Sequence, residues 1–197
     1  MKKIELILFL LLIVQLVFGQ LTMVTYKQYF GEKTLEYNMI AFNENQGINY
    51  RFALVYDPSD ERKVFFDESK IKITATDKKA NKRKDLLYDI ESKKLEILED
   101  WSENVSAETK KSSKFKDVDG YHCKLVEETD SLGRFSYWNT LEKNYNWLSD
   151  YWGGFDGTIV EAYRNDKLIL HLESIKEVAY SETIFPVEIL LEILCSW

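Results

Sequence analysis

The chain has 197 residues, of which 45% are hydrophobic and 30% charged, and its formal net charge is −7. This composition suits a folded domain rather than a disordered chain, and the negative charge argues against nucleic acid and anionic lipid surfaces as partners. Glycine and proline are scarce, at eight and two, whereas aromatic residues make up 14%, which favours β-strands.

The first nineteen residues have the layout of a secretory signal peptide. Two lysines precede an apolar run over Leu6–Val14, and Gly19 is a small residue at a cleavage position before Gln20. A membrane-spanning helix needs about 20 predominantly apolar residues, and this run is shorter. No cysteine follows Gly19 that could carry a lipid. We therefore expect cleavage near Gly19/Gln20, no integral membrane span afterwards, and one secreted or periplasmic β-rich domain over 20–197.

Along the remaining chain, apolar and polar residues alternate with a period of two in many short segments, a pattern typical of half-buried strands. It predicts strands over Leu21–Tyr26, Asn49–Tyr56, Lys63–Phe66, Lys70–Thr74, Leu86–Ile90, Lys94–Leu98, Tyr121–Glu127, Arg134–Thr140, Thr158–Arg164 and Lys167–Ser174. Short polar turns such as Asn165-Asp166 separate neighbouring members, as tight hairpins require. Repeated hairpins predict an antiparallel sheet that is curved or partly closed.

Three stretches fall outside this pattern. The basic run Lys78–Lys84 has no interleaved aromatic residue, so it predicts an exposed loop or hairpin tip rather than a binding patch. Ser102–Lys116 predicts a long polar connection or a poorly ordered edge strand. Pro186–Trp197 predicts a C-terminal helix that packs across the sheet, because Pro186 fits a first helical turn and most of the following residues are apolar. A final strand and a helix that docks on a partner or membrane surface are the alternatives.

Residue patterns that carry catalysis are scarce. The sequence has no HExxH, CxxC, GxSxG, phosphate-loop or dinucleotide motif, each of which has a defined chemical task. Both histidines, His122 and His171, fall in predicted strands, and His122 must point away from its neighbour Cys123. No catalytic residue, metal site or cofactor is therefore expected. A hydrolase built from dispersed carboxylates is the enzymatic alternative, because such pairs converge in space and not in sequence.

The two cysteines, Cys123 and Cys195, are far apart in the chain. In an oxidising compartment they can form one disulfide. Each also lies among apolar neighbours, where a buried free thiol is ordinary. The residues leave both alternatives open.

An aromatic band extends from Phe135 to Phe155 and contains three of the five tryptophans. Trp138 falls within a predicted strand, where a core position is expected. The candidates for ligand binding lie in the irregular stretch that follows, and they are Trp147, Tyr151, Trp152 and Phe155. Exposed aromatic side chains of this kind bind sugars, peptides or apolar ligands, whereas buried ones form the core.

Three motifs in order complete the C-terminal half: Gly120-Tyr121-His122-Cys123-Lys124, then Phe135–Thr140, then Trp152–Glu161. Over about Val118–Lys176 this order resembles the GLPGLI family of exported Gram-negative proteins, whose namesake motif stands here as Gly154-Phe155-Asp156-Gly157-Thr158-Ile159. Only the two glycines and Ile159 are literal matches. The resemblance implies an antiparallel fold related to the half-barrels of periplasmic lipoprotein carriers, and it implies no activity.

The glycines of this motif have a structural interpretation. Gly153, Gly154 and Gly157 predict a tight backbone bend between the aromatic band and the next strand, because glycine tolerates conformations that other residues avoid.

We thus predict a mainly β, single domain with a curved, half-barrel-like antiparallel sheet and a C-terminal helix. The leading hypothesis for function is an exported, soluble, non-enzymatic binding or carrier-like domain for an unknown apolar ligand or protein partner. A carbohydrate- or peptide-binding module that uses exposed aromatic residues is the first alternative, and the carboxylate-dependent hydrolase is the second.

Overall fold

The fold was analysed in a computed structural model, which describes residues 21–57, 60–98, 108–130, 133–149 and 156–179. These residues form one open, curled antiparallel sheet of eleven strands. The strands are β1 (Leu21–Phe30), β2 (Lys33–Ala41), β3 (Gln46–Asp57), β4 (Asp60–Asp77), β5 (Lys82–Asp89), β6 (Lys94–Ile97), β7 (Glu108–Val118), β8 (Tyr121–Asp130), β9 (Gly133–Thr140), β10 (Thr158–Arg164) and β11 (Lys167–Val178).

The strand order is β6-β5-β4-β3-β2-β1-β11-β10-β9-β8-β7. Strands that follow each other in the chain are neighbours in the sheet, except that β6 and β7 occupy its opposite edges. The first and last strands pair with each other in the middle, from Leu21 opposite Val178 to Gln28 opposite Leu170. The β1–β11 ladder therefore joins two meanders, β1–β6 and β7–β11, into one sheet.

The predicted hairpins β5–β6, β8–β9 and β10–β11 are confirmed. Two separate strands predicted over Lys63–Phe66 and Lys70–Thr74 are one strand in the structure, β4. Strand β2 was not predicted, although Leu35, Tyr37 and Met39 alternate with polar residues in it. The predicted basic hairpin tip is confirmed as the exposed turn between β4 and β5.

Both edges of the sheet are poor templates for further strands. Edge strand β6 has only four residues. At the other edge, the pairing of β7 with β8 shifts between Lys111 and Phe115. Short and interrupted edge strands hinder pairing with other chains. The polar tract predicted as a connection or edge strand is thus an edge strand from Glu108 onward, and 99–107 lie outside the described residues.

The β3–β4 hairpin is bent at a shift in its register. Phe52 pairs with Ile71, but the next residue, Ala53, pairs with Asp67, so three residues of β4 have no partner there. An extra-residue bulge bends a strand and increases its twist. Beyond the bend, the ring of Phe66 lies 5.8 Å from that of Phe30 in β1, centroid to centroid, although two strands separate β4 from β1.

Two hydrophobic clusters form the core, and they lie on opposite faces of strand β2. Met39 belongs to the first cluster and Ile40 to the second, and consecutive strand residues point to opposite faces. The first cluster draws on β1, β2 and β7–β11, and its Tyr26 and Tyr37 are fully buried. The Tyr26 hydroxyl donates to the carbonyl of Ile159 over 2.9 Å. Side chains of the first cluster therefore fill the space over β1 and β2.

The predicted C-terminal helix over Pro186–Trp197 lies outside the described residues. Within the described ranges the helical structure is a 3₁₀ turn at Asn146–Leu148. No helix among these residues is long and apolar enough to cross a membrane.

Replacing Gly157 tests how closely the backbone before β10 packs against the end of β9. Its φ is +108°, and a Cβ atom there would lie 2.5 Å from the Thr140 carbonyl oxygen. We expect Gly157→Ala to lower the free energy of unfolding by about 3 kcal/mol, because it adds a backbone clash to the strained φ. Gly120→Ala is the control, since its φ of +86° is also positive but no atom lies within 4 Å; there we expect about 1 kcal/mol. Urea denaturation measures both, and equal losses would contradict the packing described at Gly157.

Candidate binding groove

Trp147 is buried and not exposed as expected, whereas its predicted role in ligand binding stays a prediction. The side chain is 4% exposed, and its Nε1 donates to the carbonyl of Asn144 over 3.2 Å. The cause is the 3₁₀ turn, which packs on the first hydrophobic cluster. The amide of Asn146 donates to the Gly157 carbonyl over 3.1 Å, and the turn is tied to β3 through Asn49 and the carbonyl of Leu148.

The other aromatic candidates, Tyr151, Trp152 and Phe155, lie outside the described residues, as do Gly153 and Gly154. Their predicted roles in binding and in the backbone bend stay predictions.

Cys123 is fully buried and its thiol is free. Burial raises the pKa of this thiol to about 11, so the reactive thiolate form is disfavoured at neutral pH. These facts match the buried-thiol alternative for Cys123, whereas Cys195 lies outside the described residues.

A compact polar and aromatic network lies on β7, β9 and β10 beside the first cluster, against which its Trp138 packs. The carboxylate of Glu161 accepts hydrogen bonds from Lys116 Nζ over 2.6 Å and from the Tyr163 hydroxyl over 3.0 Å. The Lys116 ammonium also lies 4.5 Å from the ring centroid of Trp138. Burial, followed by the Glu161 hydrogen bond and charge, raises the pKa of Tyr163 to about 12. Each polar group of this network thus has a partner, which is typical of a structural cluster.

Each of the two described histidine side chains lies beside an aspartate. His122 Nδ1 lies 2.8 Å from Asp117 Oδ1 and His171 Nε2 lies 3.3 Å from Asp119 Oδ2, without a nucleophile beside either pair in the described contacts. Among the described residues, no group of three His, Cys, Asp or Glu could hold a metal ion. The carboxyl groups with shifted pKa values, Asp67, Asp77, Asp85 and Asp89, are all shifted downward, whereas a general acid needs a raised pKa.

A groove of about 400 Å³ opens where the β3–β4 hairpin bends. This volume lies within the range of small-molecule sites. Its lining comes from three strands, β3, β4 and β5, and from the residue that follows β6. The lining residues are Arg51, Ala53, Leu54, Asp67, Lys70, Lys72, Leu87 and Leu98. The groove combines basic groups with leucine side chains.

The bend itself is stabilised by a local hydrogen-bond pattern. The amide and hydroxyl of Ser69 both donate to Asp67 Oδ1, over 3.1 and 2.5 Å. The amide of Ile90 donates to the Ser69 carbonyl over 2.9 Å, which ties the bulge to the end of β5. These bonds hold the unpaired part of β4 in one place, so the groove is a preformed feature of the hairpin.

Basic groups exceed acidic ones in the lining of the groove, which holds three cations, Arg51, Lys70 and Lys72, and one carboxylate, Asp67. Lys70 Nζ lies 3.7 Å from Asp67 Oδ2, and Asp89 lies opposite Lys70 in the β4–β5 ladder. Lys72 Nζ lies 3.2 Å from Asp85 Oδ2, and Arg83 Nε lies 3.7 Å from the other oxygen of Asp85. The lining therefore carries a net positive charge with acidic groups beside it, although the whole chain is acidic.

Asp85 organises the basic groups at the floor of the groove. Burial alone would raise the pKa of this carboxyl. The hydrogen bond that Thr74 Oγ1 donates over 2.6 Å and the charges of Lys72 and Arg83 outweigh burial and hold the pKa below its ordinary value. Asp85 is therefore ionised at neutral pH and fixes the position of Lys72.

The groove was not predicted from the sequence. Lys70 and Lys72 alternate with Ile71 and Ile73, a pattern that normally indicates a solvated face. Arg51 lies opposite Lys72 in the β3–β4 ladder, which only the register of the folded sheet shows. Like charges directly opposite each other destabilise a sheet, and Asp85, 3.2 Å from Lys72, compensates that charge here.

Solved structures with a similar fold exist. A structure described as "Structure of PNGF-II in C2 space group" aligns with a TM-score of 0.57 and 15% identity, covering 87% of this chain and 29% of that chain. A second, "Structure of PNGF-II in P21 space group", aligns with a TM-score of 0.59 and 14% identity, covering 87% and 30%. At this identity the likeness concerns the fold alone, and this chain spans less than a third of those chains. No family model matches the chain, and no curated protein matches it.

Replacing Asp85 tests its role as the anchor of the groove. A carboxyl group whose pKa is lowered by folding contributes stability above its unfolded pKa, near 3.9, and this contribution is lost as the pH falls through the folded pKa. We expect Asp85→Asn to cost about 1–2 kcal/mol of unfolding free energy at pH 7. The difference from the parent protein should therefore decrease as the pH falls below the unfolded pKa and through the lower folded pKa of Asp85.

Urea denaturation at several pH values measures this difference, with the exposed residue change Asp156→Asn as the control. A cost for Asp85→Asn that does not change with pH would show that its charge is not what stabilises the floor.

Proposed function

We propose that this protein is a non-enzymatic binding domain that holds an acidic amphiphile in the groove between β3, β4 and β5. The observation that carries the proposal is the lining of the groove, where Arg51, Lys70 and Lys72 stand beside Leu54 and Leu87. Basic side chains form charge-assisted hydrogen bonds with a carboxylate or phosphate group. Leucine side chains bury an apolar chain with a gain in free energy. A ligand that satisfies both has an anionic head and an apolar tail.

The position of the groove refines the carrier-like hypothesis. An apolar ligand in the concavity over β1, β2 and β8–β11 finds little room, because Tyr26, Tyr37 and Leu170 are fully buried there. The β3–β4 bend instead opens a separate space at the other end of the sheet. A carrier role therefore belongs to the groove and not to the filled face.

The proposal includes export. The charged start, short apolar run and Gly19 support a signal peptide that is removed before Gln20, and the ordered motifs over 118–176 support a relationship to the GLPGLI family. A secreted or periplasmic domain without an enzymatic site fits the way in which the described histidines and carboxylates are already paired.

N-terminal sequencing tests export. The protein recovered from the periplasm or culture medium of an expressing bacterium should begin at Gln20. Retention in the cytoplasm with Met1 intact would contradict export and would leave the groove proposal unaffected.

Ligand binding is tested by isothermal titration calorimetry with decanoate and with decanol, which has the same chain length and no charge. We expect decanoate to bind at least about tenfold more tightly, since a charge-assisted hydrogen bond contributes about 1.5–3 kcal/mol. Lys70→Met and Lys72→Met should each weaken decanoate binding by roughly tenfold, and decanol binding should change little.

Lys143→Met provides the matched control, because it removes the same charge from an exposed position away from the groove. Equal affinities for the two ligands, or an equal loss in Lys143→Met, would contradict a site at the β3–β4 bend.

A further inference from the structure

We propose that the β4–β5 turn docks on an anionic lipid surface, and that the groove on the same hairpin takes its ligand from there. The second half of this inference rests on the proposed function, whereas the docking itself does not. The turn lies within the run Lys78–Lys84, in which five of seven residues are basic. This inference departs from the sequence-based expectation of a solvated tip and of a chain too acidic for anionic lipid, because it concerns the local charge of the tip.

The turn is a rigid and exposed tip. Residues 78–82 are all exposed, and Asn81 has a φ of +51°, which closes the turn tightly. The amide of Ala80 donates to Asp77 Oδ1 over 2.8 Å. The amide of Lys78 donates to the carbonyl of Asn45 over 2.7 Å, so the tip is tied to the β2–β3 turn. Its basic side chains therefore project from a fixed backbone.

The acidic neighbours do not cancel the charge of the tip. Asp77 accepts hydrogen bonds from the Ala80 amide and, over 2.9 Å, from Gln46. Asp85 lies between Lys72 and Arg83 on the groove side. Counting both as ionised, residues 77–85 carry five positive and two negative charges. In a chain of net charge −7, this separation of charge orients the molecule with the tip toward an anionic surface.

The shape of the tip suits a surface better than a flexible polyanion. The recess lined by Ala75, Lys82, Arg83 and Lys84 has a volume of only about 10 Å³, so it cannot enclose a chain. Proteins that follow a polyanionic strand combine a basic groove with stacked aromatic residues, and the run has no aromatic residue. A protruding basic turn instead touches many head groups at once, as juxtamembrane polybasic segments do.

The tip and the groove share one hairpin. Lys72 lies six residues before Lys78 in the chain, which corresponds to roughly 20 Å along a strand. Arg83 and Asp85 fill the interval on the face that carries Lys72. This length is similar to that of an extended acyl chain. A lipid acid that leaves the surface at the tip thus meets basic groups along the way to the leucine-lined groove.

Vesicle co-sedimentation tests the docking. The purified full chain is mixed with vesicles of phosphatidylcholine, with or without phosphatidylglycerol, and the apolar N-terminal stretch is common to all variants. We expect binding that depends on phosphatidylglycerol and decreases with added salt. The triple variant K78Q/K79Q/K82Q should bind roughly 100-fold more weakly, because each basic residue near such a surface contributes about tenfold or less.

The matched control is K93Q/K94Q/K143Q, which removes three charges from other exposed positions and should bind like the parent chain. Urea denaturation of both triple variants checks that stability is unchanged. Equal binding to neutral vesicles, or an equal loss in the control, would overturn the docking site. Binding of soluble polyglutamate that depends on the tip, without vesicle binding, would also overturn it.

The vesicles contain no free fatty acid, so this result is independent of the decanoate titration. Failure of vesicle binding with intact decanoate binding removes the docking and leaves the proposed function. Vesicle binding without decanoate binding leaves the docking and removes its link to the groove.

Discussion

The pairing of β1 with β11 joins two meanders that would otherwise be separate, and the rest of the architecture depends on it. The ladder runs from Leu21 opposite Val178 to Gln28 opposite Leu170, in the middle of the sheet where neither strand is an edge. The buried hydrogen bond from Tyr26 to the Ile159 carbonyl adds a link from β1 to β10, two strands away. Because the joint is central, the edges fall on β6 and β7, which are short or interrupted and so resist pairing with other chains.

The bend in β3–β4 is the second determinant, and it gives the molecule an open site. One continuous sheet therefore carries both a filled region and an open one. Large side chains of the first cluster fill the space over β1 and β11. The bulge at residues 68–70 leaves a groove over β3, β4 and β5. Fixed cations beside leucine side chains then determine the chemistry of the ligand. The basic β4–β5 turn, on the same hairpin, would place this site near the source of such a ligand.

Local patterns allowed much of the fold to be predicted, because the period-2 alternation and short polar turns are sufficient to define hairpins such as β10–β11. Such patterns could not predict that β1 pairs with β11, because this pairing joins residues more than a hundred positions apart in the sequence. The burial of Trp147 has a similar origin, because its 3₁₀ turn is held partly by Asn49, which lies 99 residues before Leu148 in the sequence. The groove was missed because Arg51 and Lys72 look like ordinary solvated strand positions until the register places them opposite each other.

Hydrogen–deuterium exchange with and without decanoate tests the central claim, that the ligand site lies at the β3–β4 bend. The account predicts slower exchange on adding decanoate for amides over 51–54, 67–72 and 85–90, which line or support the groove, and unchanged exchange over β8–β11. Protection confined to β8–β11, or to the stretch that contains Trp147, would contradict it and would place the ligand on the other half of the sheet.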